Sequence, residues 1–137
     1  MRARLPVAAV AAAALGVFLP WTTDGPVELD GTEGPHNGWL VLVVALFALG
    51  WLRSLHDGSW VGVVGVAGAG VVIVWTAVES WLGYRAVTGG RPAVGLVLVV
   101  AGGVALAAVA VARAGQLVRG RRGASSRPGD EPLSGGP

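Results

Sequence analysis

The sequence predicts an all-α fold, a four-helix transmembrane bundle with both termini cytoplasmic. Three observations predict it. Hydrophobic residues make up 53% of the 137 residues and charged residues only 13%, well short of the roughly 25% charge of an ordinary soluble protein. The apolar residues gather into four long runs that carry no charge. Trp21, Trp39, Trp51, Trp60, Trp75 and Trp81 stand at the ends of those runs. An indole placed there keeps its ring in hydrocarbon and its N–H among headgroups, so these six read as interfacial anchors.

The first span is expected at about residues 5–20. Arg2 and Arg4 precede it, and Pro6 falls in its opening turn, where a missing N–H costs nothing. A basic start and an apolar middle also fit a signal peptide. The exit Val17-Phe18-Leu19-Pro20-Trp21 is no small-x-small cleavage site, however, so a retained helix is expected. The second span is expected at about 38–53, with Arg53 at its end in reach of the interface. The third, at about 60–79, contains the uncharged run from Trp60 to Val78; at 1.5 Å per residue that run covers about 28 Å, close to the hydrocarbon thickness. The fourth is expected at about 92–112. Only an internally hydrogen-bonded backbone is tolerated in lipid, so each run reads as a helix.

Arginine placement sets the expected orientation. Arg2, Arg4, Arg53, Arg113, Arg119, Arg121, Arg122 and Arg127 fall on one side of the four spans, and only Arg85 and Arg91 on the other. The richer side is read as cytoplasmic. The membrane domain then covers residues 1–112, with outer loops at 20–38 and 79–91 and an inner turn at 54–59. Asp57-Gly58 supplies the turn chemistry there, and Ser59 is expected to cap the third helix. Residues 113–137 are rich in Gly, Pro, Ser and Arg and are expected as a disordered basic tail. Its first part would sit where anionic lipid headgroups attract Arg.

Lipid supplies no hydrophobic drive between helices, so small residues that let backbones approach are expected to hold the bundle. Ala8, Ala12 and Gly16 lie four apart in the first span, Gly65 and Ala69 in the third, Gly103 and Ala107 in the fourth. The first, third and fourth helices are therefore expected to approach closely, with the bulkier second filling around them.

Chemistry-bearing residues are sparse. There is no cysteine, which excludes disulfides, thiolate metal sites and thiol nucleophiles. No ionisable residue lies inside any run, which argues against a proton-coupled carrier or an intramembrane protease. Glu79, Arg85 and Arg91 form an expected outer interaction patch. Asp24, Glu28, Asp30 and Glu33 make the first outer loop acidic, with His36 and Asn37 after them. Their spacing fits no calcium-loop pattern, and Val27-Glu28-Leu29 is short enough to form a strand. One reading is topology alone, with the acidic residues kept outside and Gly25, Gly31, Gly34 and Pro35 making turns; another has this loop dock on Arg85 and Arg91 over the mouth of the bundle. The sequence points to no catalytic residue, no metal site and no cofactor.

Leu19-Pro20-Trp21 after the first span, a Gly-rich outer loop, and a Gly-containing fourth span with a basic tail resemble small four-span membrane proteins of high-GC, actinobacterial-type bacteria. The resemblance is one of topology and implies a bacterial cell membrane. Small multidrug carriers are similar in size and span number, but they carry a Glu in the first span, where this chain has only Ala, Val, Leu, Gly, Phe and Pro. The expected role is non-enzymatic: an accessory or assembly subunit acting through protein–protein contacts. The alternative is a transporter or channel subunit working as an oligomer. The partners implied are the lipid bilayer, anionic headgroups, and a membrane-protein partner or second copy, with no nucleic acid.

Overall fold

The uncharged runs form helices, and their ends are decided by backbone chemistry rather than by the first charge. The computed structural model describes residues 4–24, 27–32 and 37–125. The elements in chain order are α1 (Arg4–Val17), β1 (Pro20–Asp24), β2 (Val27–Asp30), α2 (Gly38–His56), α3 (Trp60–Thr88), β3 (Arg91–Pro92) and α4 (Val94–Ser125). Three helices are long and apolar enough to cross a membrane, over Gly38–His56, Trp60–Ala86 and Val94–Arg121. The apolar α1 is shorter, at 14 residues; it rises about 21 Å.

Three expectations about element extent are corrected. First, the fold is not purely helical. β1, β2 and β3 form an antiparallel sheet in the order β2-β1-β3, with Thr23 opposite both Glu28 and Arg91. Trp21, Thr22 and Thr23 favour an extended backbone, and the pairing satisfies polar groups that a loop would leave open. Second, α3 passes through Glu79 and most of the expected outer loop. Its buried face continues through Ala77, Ser80 and Tyr84. It stops at Gly89, whose φ of 74° suits glycine and whose N–H bonds the Arg85 carbonyl. Third, α4 runs to Ser125, well into the expected tail. Ala114 and Leu117 still pack against the core, and Ala, Gln, Leu and Arg are strong helix formers. Residues 126–137, with Ser126 and Arg127, lie outside the described residues.

The helices form a ring in which α4 lies between α1 and α3, α3 lies between α4 and α2, and α2 touches α1 more loosely. Helices α1 and α3 are diagonal, so the expected mutual approach of first, third and fourth is replaced by two separate seams on α4. At the α1–α4 seam, a Cβ built on Gly16 would stand 2.8 Å from the Gly95 carbonyl oxygen, and one on Gly102 would stand 2.7 Å from that of Ala9. At the α3–α4 seam, a Cβ on Gly103 would stand 2.9 Å from the Gly70 oxygen, and Ala107 lies against Gly70. Backbones in this contact gain dispersion energy without hydrophobic help. Between the seams, Val10, Val17, Val41, Val66, Ile73, Val99 and Leu106 fill the centre.

The turn between α2 and α3 closes tightly. Asp57 N–H bonds Arg53 O at 3.0 Å, Ser59 N–H bonds Ser54 O at 3.0 Å, and Gly58 adopts φ 75°. Ser59 Oγ accepts from Val61 N–H at 3.2 Å, capping α3.

Candidate functional site

Trp21 organises the end of the molecule that carries the sheet. Its side chain is fully buried (0% exposed), so it is no interfacial anchor. Its indole Nε1 donates to the Gly16 carbonyl at 2.9 Å. Gly31 lies against the ring; a Cβ there would come within 2.6 Å of Nε1. The Gly31 N–H bonds Val17 O at 2.8 Å, and its carbonyl accepts from Gly38 N–H at 2.8 Å. Ala93 N–H bonds the Trp21 carbonyl at 2.9 Å. One clasp thus satisfies two open carbonyls at the end of α1 and ties down the starts of α2 and α4. That matters in a low-dielectric surrounding, where an unmet backbone group is costly. β1 rests on α1, α3 and α4, so the sheet caps this end.

The other tryptophans divide. Trp39 (63% exposed), Trp75 (69%) and Trp60 stand on the outside of the bundle. Trp51 is half-buried on Gly65 and lies 6.2 Å from Phe47, ring centroid to centroid. Trp81 is also half-buried, with the Arg85 guanidinium 5.3 Å from its ring; this is a cation–π distance.

The expected outer patch is only partly assembled. Glu79, Arg85 and Arg91 are all exposed, and Glu79 makes no ion pair with either arginine. Arg91 is held by backbone pairing of β3 to β1. The first loop therefore does lie against the second, through the sheet ladder. Asp30 is turned inward on its own loop, its Oδ1 accepting from Thr32 N–H and Oγ1 at 2.7 Å each. Glu33 and His36 lie outside the described residues, as do the side chains of Asp24 and Glu28. Among the described residues no three metal-ligating side chains come together.

An apolar groove of about 610 Å³ lies between α2 and α3. Its floor is Gly65, Gly68 and Ala69, and its walls include Phe47, Trp51 and Trp60. A Cβ added to Gly68 would meet nothing within 4 Å, so the floor is open there.

No protein-family model, curated protein or solved structure matches this chain. The site is therefore read from its geometry alone.

Of the expected packing residues, Gly16, Gly103 and Ala107 sit at the seams with α4, and Ala69 is buried. Gly65 faces Trp51 of α2 rather than α4. Ala8 is exposed and Ala12 only half-buried, because α1 turns Ala9 and Ala13 inward. Gly70, Gly95 and Gly102 carry as much of the close approach, although a four-residue spacing does not pick them out. Gly95 and Gly102 are seven apart, two helical turns, which is the spacing that marks a shared face. Thr76, Ser80 and Tyr84 form a buried stripe on α3 at i, i+4 and i+8. Ser80 Oγ and Trp81 Nε1 are buried without a hydrogen-bond partner.

Proposed function

We propose that this chain is a multi-pass protein of the bacterial cytoplasmic membrane, with both termini on the cytoplasmic side. In this reading α1 is the fourth crossing, its short length made up by the sheet and clasp at one end. The chain acts without catalysis, as an accessory or assembly subunit that binds another membrane-spanning helix.

The α2–α3 groove carries this reading. Helix partners in lipid select surfaces where small residues allow backbone contact, and aromatic walls add dispersion area and direction. Gly65, Gly68 and Ala69 supply such a floor, and Phe47, Trp51 and Trp60 supply such walls. No charged residue among those described lines the groove, as suits a partner met inside hydrocarbon.

A photoreactive side chain placed at Gly68 in living cells tests the reading. The expected result is a crosslinked protein adduct of defined mass, absent when the same group replaces the exposed Val97 on α4. Lipid adducts alone at position 68, or the same adducts at both positions, refute it.

A further inference from the structure

A second cleft, of about 460 Å³, opens at the opposite end of the bundle from the sheet. It lies between the start of α1, the end of α2 and the later part of α4. Leu5, Pro6, Leu52 and Val109 make an apolar wall. Arg53, His56 and Arg113 make the rim, and no carboxylate among the described residues lines it.

The two guanidinium groups differ in a useful way. Arg113 is oriented by neutral acceptors: Nη2 donates to His56 O at 3.0 Å, Nε to Leu55 O at 3.4 Å and Nη1 to Gln116 Oε1 at 3.0 Å. These bonds fix the group at the carbonyl end of α2, and no carboxylate among the described residues pairs with it. The Arg53 guanidinium is exposed and makes no bond to any described residue. Among the described residues no carboxylate pairs with either arginine, Asp57 included. Two guanidinium forks with no carboxylate partner among the described residues, beside an apolar wall, match a group with anionic oxygens at one end and hydrocarbon at the other.

We propose that this cleft binds an anionic phospholipid, its phosphate held by Arg53 and Arg113 and an acyl chain laid on the wall of Leu5, Leu52 and Val109. The site depends on membrane insertion of the helices and stands whether or not the α2–α3 groove holds a protein partner. The wall is what selects a lipid over a soluble phosphate, since a free anion gains nothing from Leu5 or Val109.

Native mass spectrometry of the full chain, released from nanodiscs of phosphatidylcholine with phosphatidylglycerol, reads the preference directly. Phosphatidylglycerol is expected to be retained over phosphatidylcholine. Arg53→Gln should weaken that preference about fivefold. The Arg53 side chain bonds no other described residue and its backbone is unchanged, so the variant should melt in detergent as the parent does. Gln116→Glu, an exposed change that sets a carboxylate against Arg113, should weaken it by about the same factor. Arg119→Gln, exposed on α4 outside the cleft, should change it less than about twofold. Equal retention of the two lipids overturns the proposal. So does an Arg119→Gln loss as large as that of Arg53→Gln, which would mark diffuse surface charge. Displacement by glycerol 3-phosphate at the concentration needed for the intact lipid also overturns it, marking a soluble-phosphate site.

Discussion

Replacing Trp21 by Phe removes one hydrogen bond and part of one ring from the clasp. The indole is fully buried, and its Nε1 supplies the short bond to Gly16 O at 2.9 Å; the other donor to that oxygen, Leu19 N–H, stands at 3.4 Å. Leaving a buried carbonyl underserved costs about 1–3 kcal/mol. The vacated benzo half adds a cavity cost, so the sum is about 2–4 kcal/mol. Gly31→Ala attacks the same contact from the other side. Its Cβ would meet Cε2, Nε1 and Cζ2 of the indole at 2.5–2.8 Å, an overpacking of about 1–3 kcal/mol. A phenyl ring would still place carbons near the positions of Nε1 and Cε2, whereas Trp21→Ala leaves no ring for that Cβ to meet, so Gly31→Ala should cost clearly less in the Trp21→Ala background. Reversible unfolding in mixed detergent micelles measures all four corners of this cycle. Trp75→Phe, on a 69% exposed residue, serves as the control and should leave stability unchanged. A Trp21→Phe protein as stable as the Trp75→Phe control, or strict additivity of Trp21→Ala with Gly31→Ala, would refute the clasp.

Three further outcomes are expected from single changes. Gly103→Leu and Gly65→Leu should each lower unfolding stability in detergent by about 1–3 kcal/mol or more, because each position meets a neighbouring helix, whereas Gly68→Leu should fold normally in the open groove. Ser80→Ala should leave stability level or raise it by up to about 1 kcal/mol, since the buried Oγ has no partner to lose. Arg113→Gln should loosen the end of α2, seen as faster amide hydrogen exchange around Leu55–Gly58 with the centre of α2 unchanged, because it frees the Leu55 and His56 carbonyls.

Four helices were legible because lipid-facing helices need long uncharged runs, and nothing else in a chain this apolar competes with them. Their ends were less so. Glu79 and Arg113 looked like boundaries, yet a charge at a helix surface is no barrier to the next turn; Gly89, with its left-handed backbone, is one. The packing phase of α1 was also hidden. Six of its residues are alanine, so Ala8 and Ala12 carry the same spacing as Ala9 and Ala13, and only contact with Gly102 distinguishes the two faces. Trp21 stood at the end of a run, where an anchor belongs. Its burial depends on Gly31, ten positions later, and on a sheet completed by Arg91–Pro92. No local pattern announces such a partner. The cleft at the end opposite the sheet was half visible: the arginines were counted for orientation, but their convergence with Leu5 and Val109 is a property of the folded ring.

The crossing by α1 decides the topology, and the absence of cysteine makes it easy to measure. Single cysteines at Arg4, Thr32, Asp57, Ala86 and Gln116 can be tested with a membrane-impermeant thiol reagent on intact cells and on inverted vesicles. Four crossings predict labelling of positions 32 and 86 only from the cell exterior, and of positions 4, 57 and 116 only in inverted vesicles. Labelling of position 4 from the same side as position 32 would show that α1 does not cross, and would contradict the four-span arrangement.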